Sequence, residues 1–174
     1  MDKIKTWSPH VIAVIASLVF LDSLRFKFTN APETIEIFTR LDNWAASFGA
    51  GGLFAQTGLF SQYVIGTAEL FAAALLLLGI HPALRRLQAL GAVIAFAVMS
   101  GAVNFHLWTP LGIDPNNDGG GLFFMACVVL ATSIVLILIR RKELAAIGRG
   151  LVATFLPGRA GTRQPHPTPR ASHA

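Results

Sequence analysis

Long apolar stretches and short polar segments alternate four times along the chain, with the apolar runs at about 9–28, 62–80, 87–108 and 120–141. Each is near the roughly 20 residues an α-helix needs to cross the hydrocarbon core of a bilayer. The pattern predicts an all-α integral membrane four-helix bundle occupying residues 1–142. Between the first two runs, Ile35, Phe38, Leu41, Trp44 and Phe48 recur at helical spacing, with Arg40, Asp42 and Asn43 on the other side. That is a short amphipathic helix in the first outer loop, either lying on the membrane surface or capping the bundle. Gly49-Ala50-Gly51-Gly52 then breaks it. Residues 143–174 form a tail. Its first part predicts a short helix on the inner surface, with Arg149 toward headgroups. The Pro-, Arg-, Thr- and His-rich remainder predicts disorder, and His166 and His173 carry no chemistry there.

Composition supports the membrane reading. Of 174 residues, 53% are hydrophobic and 13% are charged, against about 25% charged in soluble domains. The length leaves no room for a second folded domain. A net charge of +5 would suit nucleic acid, but the basic residues flank the apolar runs rather than gathering on one face, which excludes that partner. They do report orientation. With the N-terminus inside, the inner segments hold Lys3, Lys5, Arg85, Arg86, Arg140, Arg141, Lys142, Arg149, Arg159, Arg163 and Arg170, and the outer segments hold Arg25, Lys27 and Arg40. Basic residues favour the cytoplasmic side, so both termini are predicted there. Lys3 and Lys5 before the pure apolar stretch 11–21 resemble a signal peptide. Asp22-Ser23-Leu24-Arg25 then stands where a small-x-small cleavage site would be, so the segment reads as an uncleaved first helix. Cys127 is the single cysteine, which excludes an intrachain disulfide or a CxxC relay.

The candidate chemistry is the polar residues that interrupt the runs. Asp22 and Arg25 are three apart and can pair along one face. Lys27 lies beneath Ala16, Phe20 and Ser23, on a face whose small residues suggest a helix contact. Glu69 has Gly66, Ala72 and Ala73 as helical neighbours and sits about 10 Å below the outer end of its helix. A carboxylate facing lipid there is costly, so it should be paired, protonated or both. In the third run the small stripe Ala97, Ser100, Gly101 and Asn104 predicts that Asn104 faces other helices. His106 is about 200° further round, so a regular helix cannot point both inward; distortion before Pro110 would aim His106 at the outer rim. The simplest arrangement is a Lys27–Glu69 ion pair hydrogen-bonded by Asn104. It reads either as a polar pocket opening outward, able to take an anion, a quinone headgroup or a proton, or as a lock on helix register.

The loop after the third run matches half of a calcium loop at Asp114, Asn116, Asp118 and Gly119, but Met125 stands where the final Glu belongs. A weak outer cation site is one reading; a tight turn in which Asp118 caps the fourth helix is the other. His10 and His81 lie at the cytoplasmic ends, far from His106, so no histidine pair is placed for haem. No nucleophile–base pair, zinc spacing, phosphate loop or dinucleotide fingerprint occurs, and no covalent cofactor is expected.

Three segments together resemble the DoxX family of small four-helix bacterial membrane proteins. They are Phe20-Leu21-Asp22-Ser23-Leu24-Arg25-Phe26-Lys27-Phe28, Ile65-Gly66-Thr67-Ala68-Glu69-Leu70, and Ala102-Val103-Asn104-Phe105-His106-Leu107 leading to Pro110. The resemblance covers roughly residues 10–142. Asp22-Ser23 and Arg25 stand where many relatives carry small or apolar residues. The resemblance implies a helical bundle in the bacterial cytoplasmic membrane. It also implies the role of a small membrane subunit of thiosulfate:quinone oxidoreductase, or of a membrane complex resisting oxidative stress. Three functions follow as expectations: an accessory subunit of a quinone-linked redox complex, a non-enzymatic scaffold for a protein partner, or a small-solute transporter. A homo-oligomer could supply what one copy lacks. Four short runs without an inverted repeat argue against alternating access.

Overall fold

The computed structural model describes residues 2–155, with side chains from residue 7 onward. Six α-helices and no strand occur among the described residues: α1 Asp2–Phe28, α2 Pro32–Ala46, α3 Gln62–Leu78, α4 Arg85–Trp108, α5 Gly121–Ile139 and α6 Arg141–Phe155. The four apolar runs form α1, α3, α4 and α5; α3, α4 and α5 lie within two residues of their predicted bounds, whereas α1 begins seven residues before the predicted start and carries Pro9 inside it. The amphipathic segments form α2 and α6. The tail beyond Phe155, including His166 and His173, lies outside the described residues.

The long helices pack in a cycle: α1 on α3, α3 on α4, α4 on α5 and α5 back on α1. Their shared core is built largely from alanine. Ala13 and Ala16 of α1 meet Ala72 and Ala73 of α3, Ala92 and Ala95 of α4, and Ala126 of α5, with Phe20, Leu76, Met99, Val129 and Leu136 filling the space between. Residues this small let helix backbones approach closely. The tightest approach is between α3 and α4. A Cβ on Gly91 would lie 2.8 Å from the Leu76 backbone nitrogen, and one on Gly79 would lie 2.3 Å from that of Gln88.

The large apolar side chains point the other way. Leu18, Leu21, Phe71, Leu78, Phe96, Phe124 and Leu138 are all exposed. Small residues inside and large apolar residues outside is the reverse of a water-soluble core. Two helices are long and apolar enough to cross a membrane: α4, together with the short 3-10 turn Pro82–Leu84 that leads into it, and α5. Only 28% and 22% of their apolar windows are buried. The helix α3 is apolar but shorter, at 17 residues, and α1 carries charges in its last two turns.

The helix α2 crosses the end of the molecule where α1 and α4 finish. Its Leu41 and Ala45 are buried against Phe54 and Leu111, with Phe38, Trp44 and Phe105 beside them. Its apolar face is therefore turned inward, onto Phe105 of α4 and the loop residues Phe54 and Leu111, as the capping alternative requires. Ile35 and Phe48 depart from the predicted stripe and are exposed. Phe48 falls beyond the helix end and meets Trp44 edge to face. Gly49 and Gly52 adopt positive φ after the helix, and the Asp42 carboxylate accepts the Gly52 and Phe54 N–H groups to hold the turn.

Candidate functional site

Ala13, Ala16 and Phe20 put one face of α1 in the core, and that face carries Ser23 and Lys27 onward toward α3. Gln62, Gly66, Glu69 and Ala73 form the buried stripe of α3 that meets it. Gly66 lacks a side chain where the Lys27 stem crosses. Even an added Cβ there would only touch Lys27 Cδ and Phe28 at 3.4 Å.

The two charges meet at this crossing. Lys27 Nζ lies 3.1 Å from Glu69 Oε2, with side-chain exposures of 15% and 3%. Lys27 also donates a hydrogen bond to Ser23 Oγ, four residues back on its own helix. The ammonium approaches Oε2 off the hydrogen-bonding direction, so that oxygen has an electrostatic contact but no formed hydrogen bond among the described residues. Glu69 is thus held by the Lys27 ammonium in a buried place, as an ion pair rather than through an aligned hydrogen bond.

A second polar layer closes the crossing toward the loop end. Gln62 Nε2 donates to the Lys27 carbonyl at 2.8 Å and to Asn30 Oδ1 at 2.6 Å. Tyr63 donates its hydroxyl to the same Asn30 oxygen at 2.6 Å, and its ring stacks on Phe28. Asn30 follows the end of α1 with φ of 56°, a left-handed conformation that asparagine tolerates better than most residues. One residue thereby ends α1 and ties it to the start of α3. Ser23, Asn30, Gln62 and Tyr63 were missed from the sequence. Gln62 and Tyr63 sit at a run boundary, where polar residues attract no notice. Ser23 offered a signal, four residues before Lys27 on the same helical face.

The other candidates lie elsewhere. Asn104 does not reach the ion pair. It is exposed, and its amide donates to the Ser100 carbonyl of its own helix. His106 is the buried one, at 5% exposure. Its Nδ1 is 2.6 Å from the Gly112 carbonyl oxygen, and its ring meets Phe123 edge to face. The helix α4 runs regularly through Trp108, so the 200° opposition of the two residues holds but the choice between them is reversed. The reason is composition. The helix has small residues on both faces, and the stripe of Ala92, Ala95 and Met99 leading to His106 is the one that packs. Asp22 and Arg25 do pair, at 3.0 Å, but both are more than 60% exposed. Arg25 lies over the Phe26 ring, 4.7 Å from its centroid, so neither residue lines the crossing.

Asp118 caps α5. Its carboxylate accepts the N–H groups of Gly120, Gly121 and Leu122 at 2.9–3.0 Å, and Asp114 Oδ1 accepts the Asp118 N–H. Desolvation, the largest single contribution, raises the Asp118 pKa. Hydrogen bonds from Leu122, Gly120 and Gly121 and the contact with Asp114 outweigh it and hold the group below the usual aspartate value. Asn116 makes no contact that would add it to a cation cage, and no group of three or more His, Cys, Asp or Glu side chains able to hold a metal occurs among the described residues.

A cleft of about 180 Å³ opens between α2 and the loop before α3, lined by Phe38, Asp42, Asn43, Phe54, Gln56 and Gln62 among others. It is smaller than the roughly 300 Å³ at which small-molecule pockets begin. It touches Gln62 but neither Lys27 nor Glu69. Compared with known protein families, curated proteins and solved structures, the chain has no match, and any reading of its function rests on its own residues.

Proposed function

We propose that the chain is a multi-pass protein of the bacterial cytoplasmic membrane. In this reading α1, α3, α4 and α5 form a transmembrane four-helix bundle with both termini in the cytoplasm, and the protein is an accessory subunit of a quinone-linked redox complex of the kind DoxX-like proteins serve. The exposed belt of large apolar side chains supports the membrane setting. The excess of Lys and Arg in the segments on the Arg85 side supports the orientation. The observation that carries the functional reading is the buried Lys27–Glu69 pair. An ionisable pair inside a membrane bundle is costly and commonly marks a substrate or proton path. Here Glu69 would exchange a proton, or hold a quinone oxygen through Lys27, near the periplasmic face. Asn104 and His106 take no direct part.

A second reading is a non-enzymatic scaffold in which the pair fixes the register of α1 against α3. The cleft that stops at Gln62, short of the pair, favours it. One experiment separates the two. Membranes containing Lys27→Ala or Glu69→Gln chain at wild-type level are assayed for quinone reduction, and co-purifying proteins are identified in mild detergent. Loss of reduction with partners retained supports the redox reading. Full reduction with partners retained overturns it in favour of the scaffold.

A further inference from the structure

Gln88, near the start of α4, is fully buried. Its Oε1 accepts a hydrogen bond from Arg140 Nε at 2.8 Å. That bond fixes the amide orientation, because arginine has no acceptor and a flipped amide would set donor against donor. The Gln88 NH2 is therefore forced away from Nε, and it has no partner among the described residues. The end of α3 holds the side chain in place, with Gly79 packed against the Gln88 stem.

The surroundings are short of acceptors. Arg140 is itself buried, at 6% exposure, and its one acidic contact is an ion pair with Glu143 at 3.5 Å, long for a hydrogen bond. The Nδ1 of His10, on α1, is also buried without a partner among the described residues. Arg85, Arg86, Arg141 and Lys142 are exposed around this end, and Glu143 is the only carboxylate between Asp118 and Phe155. A buried guanidinium and a forced amide donor meet here, with one carboxylate, Glu143 at 3.5 Å, to balance them. The missing partner is an anion with several acceptor oxygens, and a phosphate group supplies them while matching the arginine fork.

We propose that Gln88 and Arg140 form a seat for one phosphate group, from an anionic phospholipid headgroup or from free phosphate, at the end of the molecule opposite the Lys27–Glu69 pair. The seat requires nothing of the redox reading. The test uses the full chain purified in a neutral detergent, with native mass spectrometry and thermal unfolding in phosphatidylglycerol, phosphatidylcholine or inorganic phosphate. Phosphatidylglycerol is expected to bind one per chain and raise the Tm, and phosphatidylcholine to do neither. Gln88→Met, close in volume but lacking the amide donor, and Arg140→Gln should each weaken that binding about tenfold, the loss of one charge-assisted hydrogen bond. Arg86→Gln, an exposed neighbour, should change it less than about twofold. Inorganic phosphate that binds, shifts the Tm and loses its effect in Gln88→Met identifies the soluble source and supports the seat. Equal binding of both lipids without a phosphate effect overturns it. So does unchanged binding in Gln88→Met. If Arg140→Gln fails to fold, the Gln88→Met comparison decides.

Discussion

Removing the carboxylate of Glu69 leaves the Lys27 ammonium beside an alanine-rich core with Ser23 as its remaining partner. Breaking a buried pair from one side commonly costs about 3 kcal/mol or more. Glu69→Ala should therefore lower the Tm in detergent substantially, and Glu69→Gln, which keeps an amide oxygen toward Lys27, should lower it less. Equal melting of the two variants would contradict a pairing role. Asn104→Leu is the internal control, expected to stay within about 0.5 kcal/mol of wild type because the amide is exposed and bonded only to its own helix. The pair was legible in the sequence because Lys27 and Glu69 are ionisable residues among apolar ones, each with small residues on its own face. Asn104 and His106 were not. Residue size predicts which face packs only when one face is small, and α4 is small on two. Asn30 and Gln62 escaped for another reason. Their importance comes from a left-handed turn and a contact between helices, neither of which leaves a local pattern.

The bounds of α3, α4 and α5 followed from apolar run length and from the breaks beside them, but the start of α1 did not, because the helix continues through Pro9 into the polar residues before it. How closely two helices approach did not follow, because a glycine in an apolar run reads the same whether it faces a neighbour or open space. Gly91 is the decisive case on α4. Its added Cβ would strike backbone atoms of Leu76 and Ala72 rather than flexible side-chain ends. Gly91→Ala should cost about 1–3 kcal/mol by overpacking, measured as Tm in detergent. Gly101→Ala on the same helix, where the nearest atom is 3.9 Å away, should be tolerated. At the start of α5 the half-matched calcium pattern is a helix cap. The Asp118 pKa is lower in the folded state, so its stabilising effect is complete above the ordinary value of 3.8 and is lost as pH falls through the lower folded value. The Tm difference between wild type and Asp118→Ala should be constant from pH 7 to about pH 5 and shrink toward zero on further acidification. A difference that persists unchanged at the acid limit would show that the carboxylate charge is not what caps the helix.

For the molecule as a whole, the informative contrast is between what lies inside and what lies outside. Alanine predominates at the centre, with a few larger side chains such as Phe20, Leu76 and Leu136, while most of the large apolar side chains cover the perimeter. The sequence announced helices and their apolar content. It could not say how two competing faces of each helix would be divided between neighbours and surroundings, which depends on contacts among all four. The membrane reading predicts that alkaline carbonate leaves the protein in the membrane pellet. It also predicts that a reporter active only in the cytoplasm works when fused after Phe155 and fails when inserted between Trp108 and Gly121. The reverse result would invert the proposed orientation.

The crossing of Lys27 and Glu69 also constrains the order of assembly. Each residue alone is a poor passenger in hydrocarbon, and between them the chain must first complete α2 and its flanking turns. The first helix emerging from the ribosome therefore carries an unmatched cation until the third follows it. A nascent chain stopped before Gln62 should be held loosely, available to quality-control proteases, and one extended past Leu78 should become resistant. On the membrane proposal, insertion of this protein is in that sense a two-helix event, with the partner's arrival setting the moment at which either is secure.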